Sequence, residues 1–167
     1  MTEISEEQPR DVESITRVLL AAFPGDAESR LVSALRAANR LTISLVARVP
    51  AGDVMGHIAF SPVTVEGATG ALGLAPVSVH PDWQGRGVGQ ALIEAGLARC
   101  RALGAPFVVL LGAPAYYSRF GFVAAARFGL VDAYGGGEAF QVRELAAGGL
   151  AGARGLVSYA PEFSMFE

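Results

Sequence analysis

The sequence predicts an α+β fold, with a mixed, mostly antiparallel central sheet flanked by helices. Three observations lead there. Two helical segments near the N-terminal end precede a run of strands joined by tight turns. The first strands are linked as hairpins and are therefore antiparallel. A strand–loop–helix–strand series from Leu72 to Leu111 then has the length and order of a parallel crossover.

Residues Asp11 to Phe23 show helical spacing, with Val12, Ile15, Val18, Leu19 and Ala22 on one face. Pro24-Gly25 stops that helix. Asp26 caps a second, whose inward residues are Leu31, Ala34, Leu35 and Ala38. Leu41 to Val49 reads as a strand, Pro50 to Asp53 as a hairpin turn, and Val54 to Val63 as the returning strand. Glu66 to Gly70 forms a further turn, and Ala71 to Val79 a third strand, interrupted by Pro76. A glycine-rich loop, Gln84 to Gly89, leads into a helix from Val88 to Leu103, which Gly104 ends. Phe107 to Leu111 is continuously apolar, as a strand buried on both faces is. A short helix over Ala113 to Arg119 follows, and Phe122 and Val123 begin an extended piece. Strands are expected over Ala139 to Leu145 and near Leu156 to Tyr159, while Pro161 to Glu167 carries no assignment.

A chain of 167 residues fits one domain, and no repeat or linker divides it, so residues 1–167 are read as a single domain. Apolar residues make up 51% and charged residues 17%, a balance that excludes disorder. The net charge is −3, with no basic run, which argues against a nucleic-acid partner. No apolar stretch reaches the ~18 residues of a membrane span. The single cysteine, Cys100, rules out an internal disulfide, and Met1 to Arg10 has no signal-like character, so the expected location is the cytoplasm. Cys100 lies in the long helix, where a packed thiol is favoured over a nucleophile. No His, Cys, Asp or Glu cluster has metal-ligand spacing, so no metal is expected.

The segment His80 to Leu92 carries the chemistry. A strand ends, glycines alternate at Gly85, Gly87 and Gly89, and a helix begins. A helix N-terminus exposes unpaired N–H groups and the positive end of its dipole, and so accepts a phosphate or pyrophosphate. Glycines allow the backbone to approach that anion and to take positive φ. The amides of about Arg86 to Gln90 can thus form one concavity, with Arg86 adding charge at its rim. The alternative is a tight turn that only packs helix on sheet. Two other phosphate binders fail on spacing. A P-loop needs a Lys after its last Gly, and a dinucleotide fingerprint needs Gly-x-Gly-x-x-Gly opening a β/α series.

Gln84-Gly85-Arg86-Gly87-Val88-Gly89 resembles the Gln/Arg-x-x-Gly-x-Gly/Ala signature of the GNAT superfamily of N-acetyltransferases. Leu74 to Pro81 is similar to that family's fourth strand, and Ala113-Pro114-Ala115-Tyr116-Tyr117-Ser118-Arg119-Phe120-Gly121-Phe122 to its second motif. The resemblance covers about Ile4 to Tyr159, in a bacterial branch of predicted acetyltransferases. It implies a splayed fourth and fifth strand pair and acetyl-CoA as cosubstrate. The pyrophosphate would lie on Gln84, Gly85, Arg86, Gly87, Val88, Gly89 and Gln90, and the pantetheine arm along the main chain at Val77 and Val79.

The same resemblance implies roles for other side chains. Tyr117 lies four residues before Gly121, where the family places its general acid, with Tyr116 as the packing neighbour that a one-residue shift would exchange with it. The family often carries a Glu base near the fourth strand, and Leu72 to Val79 has no acid. His57 has a suitable intrinsic pKa, although a lone strand His is more often structural. His80 is expected to be exposed, and Trp83 to pack beneath the loop rather than touch CoA. The expected reaction is acetyl transfer to a primary amine by direct attack in a ternary complex. The acceptor is a small molecule or peptide, with a homodimer as one option for assembly. The alternative is a non-catalytic acyl-CoA sensor.

Overall fold

A computed structural model describes residues 2–166. In chain order its elements are β1 (Glu3–Glu6), α1 (Val12–Ala22), α2 (Ala27–Ala37), β2 (Ile43–Arg48), β3 (Val54–Pro62), β4 (Thr64–Glu66), β5 (Leu72–Val79) and α3 (Val88–Ala102). They continue as β6 (Phe107–Leu111), α4 (Pro114–Tyr117), β7 (Val123–Ala124), β8 (Leu130–Asp132), β9 (Phe140–Glu144) and β10 (Arg154–Ser158). The chain folds as two compact units and passes between them along β3, β5 and α3.

The first unit holds the segment up to Phe60, Ala75–Gly96 and the segment from Pro161. Its strands lie in the order β1-β2-β3-β5. β1 pairs antiparallel with β2, Glu3 opposite Arg48 and Glu6 opposite Leu45, and β2 pairs antiparallel with β3. The helices bury Ile15, Val18, Leu19 and Val32 against Val46 and Val54. On α2 the buried residues are Ser29, Val32 and Leu35, whereas Ala38 is exposed and Leu31 half-buried, contrary to the expected face. The stripe runs along positions 29, 32 and 35, three apart, and the one polar member, Ser29, disguised it. The C-terminal segment forms a 3-10 helix, Pro161–Phe166, whose Glu162 accepts from Arg40 Nη1 at 2.8 Å.

Close packing sets α3 on β3. A β-carbon at Gly56 would stand 3.0 Å from both Leu92 Cδ1 and Val88 Cγ1. One at Gly96 would stand 2.6 Å from Phe60 Cζ. At Gly96 the Phe60 ring leaves no room for a methyl group, whereas at Gly56 a methyl group would press Leu92 and Val88 aside by a few tenths of an ångström.

The second unit holds Ser61–Leu74 and Leu97–Ala160. Its strands lie in the order β5-β6-β9-β7. The parallel pairing of β5 with β6 consists of Leu72 opposite Val108 and Gly73 opposite Val109, and ends there, as the expected splay requires. β6 and β9 are antiparallel along their length. A separate sheet, β4-β10-β8, was only partly legible. The core gathers Phe107, Val109, Phe140, Val142, Leu130 and Val157. Cys100 is fully buried, and that burial pushes its thiol up to about 12, so it is a packed thiol.

Candidate active site

The glycine-rich loop belongs to the first unit. After β5, a 3-10 turn over Pro81–Trp83 carries the chain to Gln84, whose Nε2 donates to Val79 O at 3.0 Å. Gly85 and Gly87 take φ of 75° and 83°, and no atom lies within 4 Å of a β-carbon built on either. Packing therefore does not explain these glycines; the left-handed backbone and the open space above it do. The first helical bond is Ala91 N–H to Gly87 O at 3.0 Å. The amides of Val88, Gly89 and Gln90 precede it and head a helix of 15 residues. Val88 is buried at 3% exposure and anchors the helix start to β3.

The aromatic neighbour supports this loop. The Arg86 guanidinium lies 4.9 Å from the Trp83 ring centroid, so the indole holds the arginine at the rim. His80 is half-buried, and its Nδ1 accepts from Asp82 N–H at 3.2 Å. Val77 and Val79 are half-buried on β5 and alternate with the buried Pro76 and Ser78.

His57 is wholly buried on β3. Its Nε2 lies 2.7 Å from Ser44 Oγ, and Ser44 Oγ donates to Glu7 Oε1. Arg36 grips Glu7 from α2, through Nε at 2.9 Å and Nη2 at 3.0 Å. Burial lowers the His57 pKa to about 4, against the attraction of Glu7, so the ring is neutral at pH 7. For Glu7 burial pushes upward, and the bonds from Arg36 and Ser44 outweigh it, leaving the carboxyl below its ordinary value. Beside this chain lies a polar cavity of about 250 Å³, lined by Glu7, Arg36, Asn39, Thr42 and Ser44. The sequence singles out His57 but not its partners. The available signal is Ser44 itself, a hydroxyl among the apolar residues Ile43, Leu45, Val46 and Ala47.

Tyr117 lies in the second unit, at the end of α4, where a 3-10 turn over Ser118–Phe120 closes on Gly121 at φ 83°. Its ring meets Tyr116, Phe120 and Phe122 at centroid distances of 5.0, 6.3 and 6.0 Å. Burial raises its pKa, so the phenol carries its proton at pH 7. Tyr116 stacks instead under Arg119, whose Cζ is 4.6 Å from its ring centroid. Among the described residues no group of three His, Cys, Asp or Glu is placed to hold a metal ion, and no helix is long and apolar enough to cross a membrane.

Residues 12–122 match the acetyltransferase (GNAT) family. The chain is 43% identical over 162 residues to the N-acetyltransferase YhbS of Escherichia coli K12, covering 96% of this chain and 97% of that one. The crystal structure of Escherichia coli YhbS in complex with CoA superposes with a TM-score of 0.95 at 41% identity, over 99% of this chain and 93% of that one. A GNAT acetyltransferase from Brucella melitensis, solved with acetyl-CoA, gives 0.81 at 42% identity over 98% of both chains. With a glycine loop of this geometry, and relatives that match along almost its whole length, the chain belongs to the GNAT family of N-acetyltransferases.

Proposed function

We propose that the protein moves an acetyl group from acetyl-CoA to a primary amine by direct attack in a ternary complex, its two units acting as one acetyltransferase domain. The observation that carries this reading is the loop at Gly85 and Gly87, with left-handed backbone and clear space before the N-terminus of α3. Gln84, Gly85, Arg86, Gly87, Val88, Gly89 and Gln90 bind the pyrophosphate, through backbone N–H groups and the helix dipole. The main chain at Val77 and Val79 receives the pantetheine arm. The relatives from Escherichia coli and Brucella melitensis, solved with CoA and acetyl-CoA, support that cosubstrate.

The amine nitrogen attacks the thioester carbon, and the adduct expels CoA as a thiolate. Tyr117, protonated at neutral pH, gives its phenol proton to that sulfur. His57 takes the proton that the nitrogen loses. Because the ring is wholly buried, it does so through water rather than by touching the amine. The acceptor is a small-molecule or peptide amine. Calorimetry with CoA, followed by thiol release from acetyl-CoA over a panel of primary amines, tests the reading. Wild type should bind CoA and release thiol, and Tyr117→Phe should bind CoA equally and turn over slowly. Binding without thiol release from any amine would favour an acyl-CoA sensor, and no heat with CoA at millimolar concentration would overturn the assignment.

A further inference from the structure

The polar chain behind His57 fixes where its proton sits. Arg36 has only donors, and an ionised Glu7 has only acceptors. The single hydrogen of Ser44 goes to Glu7, so the Ser44 oxygen can only accept from His57. Nε2 must therefore carry the ring hydrogen. In a neutral ring that leaves Nδ1 as a bare acceptor, and Nδ1 is buried with no partner among the described residues. A second such atom is Ser78 Oγ, on the next strand. His80 N–H bonds to Met55 O at 2.8 Å where the two strands meet. Two buried polar groups without protein partners are the ordinary setting for a bound water.

We propose that Glu7 and Ser44 are positioning residues that hold His57 as its Nε2–H tautomer, so that Nδ1, through a water, accepts the proton of the attacking amine. The proposal rests on the reading of His57 as the base. The N–H bond of the adduct breaks, its proton passes through the water to Nδ1, and its electron pair stays on nitrogen in the new amide. The nitrogen of that adduct is cationic and gives up a proton far more readily than the neutral amine does. The charge formed on His57 faces Ser44 from β2 and Glu7 from the end of β1. Arg36 on α2 opposes it but is itself neutralised by Glu7. The ring then returns its proton to water, and the Tyr117 phenolate, having protonated the departing sulfur, takes one up from water.

The chain has two histidines, which makes ¹⁵N NMR of ring nitrogens direct, with His80→Gln giving the assignment. The expected spectrum shows His57 neutral and Nε2-protonated between pH 6 and 8, and loss of that single tautomer in Ser44→Ala. An Nδ1-protonated ring in wild type, or a spectrum indifferent to Ser44→Ala, overturns the proposal. In thiol release from acetyl-CoA, with the best amine of the panel, Ser44→Ala and Glu7→Gln should lower kcat at least tenfold. The KM for acetyl-CoA should hold, and Ser44→Thr should restore the rate. Normal kcat in both variants overturns the positioning role and leaves the transferase reading intact. Absence of thiol release from wild type sinks that reading, and the proposal with it, whatever the spectrum shows.

Discussion

The ring of Tyr117 lies over Gly112, so close that a β-carbon on residue 112 would stand 2.5 Å from Cε2. The backbone there cannot retreat. Gly112 N–H donates to Ala139 O at 3.0 Å, and its carbonyl accepts from Gln141 Nε2 at 3.1 Å. Gly112→Ala must therefore displace the ring. If Tyr117 is the acid, thiol release from acetyl-CoA should fall about tenfold or more, since a positioned acid contributes ~10²–10⁴. CoA affinity should be little changed. Tyr117→Phe keeps the ring and removes the hydroxyl, so the pair separates position from proton. An unaltered kcat in Gly112→Ala would exclude Tyr117 from the chemistry.

Gly87 makes the opposite case. At φ 83° a side chain is strained, yet a β-carbon there meets no protein atom. Gly87→Val should cost the fold only the left-handed backbone penalty, ~1–2 kcal/mol. If the pyrophosphate lies on this loop, the effect on CoA should be far larger, because a branched side chain adds bulk directly before the first residues of α3. Thermal unfolding and calorimetry with CoA report the two effects separately. A variant that still bound CoA with wild-type affinity would show that the pyrophosphate lies elsewhere.

What was legible in the sequence follows from how local each signal is. The loop at residues 84–89 could be read because glycine alternation and helix onset lie within one short segment. Helix α1 and strands β3 and β6 announce themselves by apolar periodicity or by continuous apolar runs. β1 was missed because Glu3, Ser5 and Glu6 are polar; its pairing with β2 is satisfied by backbone bonds that no side-chain pattern reports. β8, three residues long, is stabilised by its parallel pairing with β10 some 25 residues on, a contact invisible to a local window. The partners of His57 come from residues 7, 36 and 44, brought together only by the sheet and α2.

The neutral, buried His57 sets an acid limit on stability. Its folded-state pKa of about 4 lies below the ordinary 6.5. As pH falls through that interval the unfolded chain takes up a proton that the folded ring refuses. Stability is then fully present above pH 6.5 and declines toward pH 4. At ~1.4 kcal/mol per pH unit the loss approaches about 3 kcal/mol. Glu7 and Asp11, both depressed, add acid lability only below their ordinary values of 4.5 and 3.8. Urea unfolding at half-unit steps should show a slope between pH 6.5 and 4.5 that His57→Gln flattens. An equal slope in the variant would mean that His57 is protonated in the fold.

A buried ion pair joins the end of β2 to the start of α1. Arg48 Nη2 lies 2.6 Å from Asp11 Oδ2, and Asp11 is only 3% exposed. The bond from Arg48 holds the Asp11 carboxyl below its usual range, against burial, and Gln8 N–H adds a second bond at 2.7 Å. Arg48→Met leaves a buried carboxylate without its cation, a change that costs ~3–5 kcal/mol in such pairs. Asp11→Asn with Arg48→Met removes both charges and should recover much of that loss, because no ion then remains to be desolvated. The sign with pH follows from the depressed carboxyl. Its contribution is present above pH 4 and is lost as pH falls through the lower folded value, and Arg48→Met should shift that loss to higher pH. Chemical denaturation of the two single variants and the double variant gives the coupling directly. Simple additivity of the two losses would mean that Asp11 and Arg48 do not stabilise one another in solution.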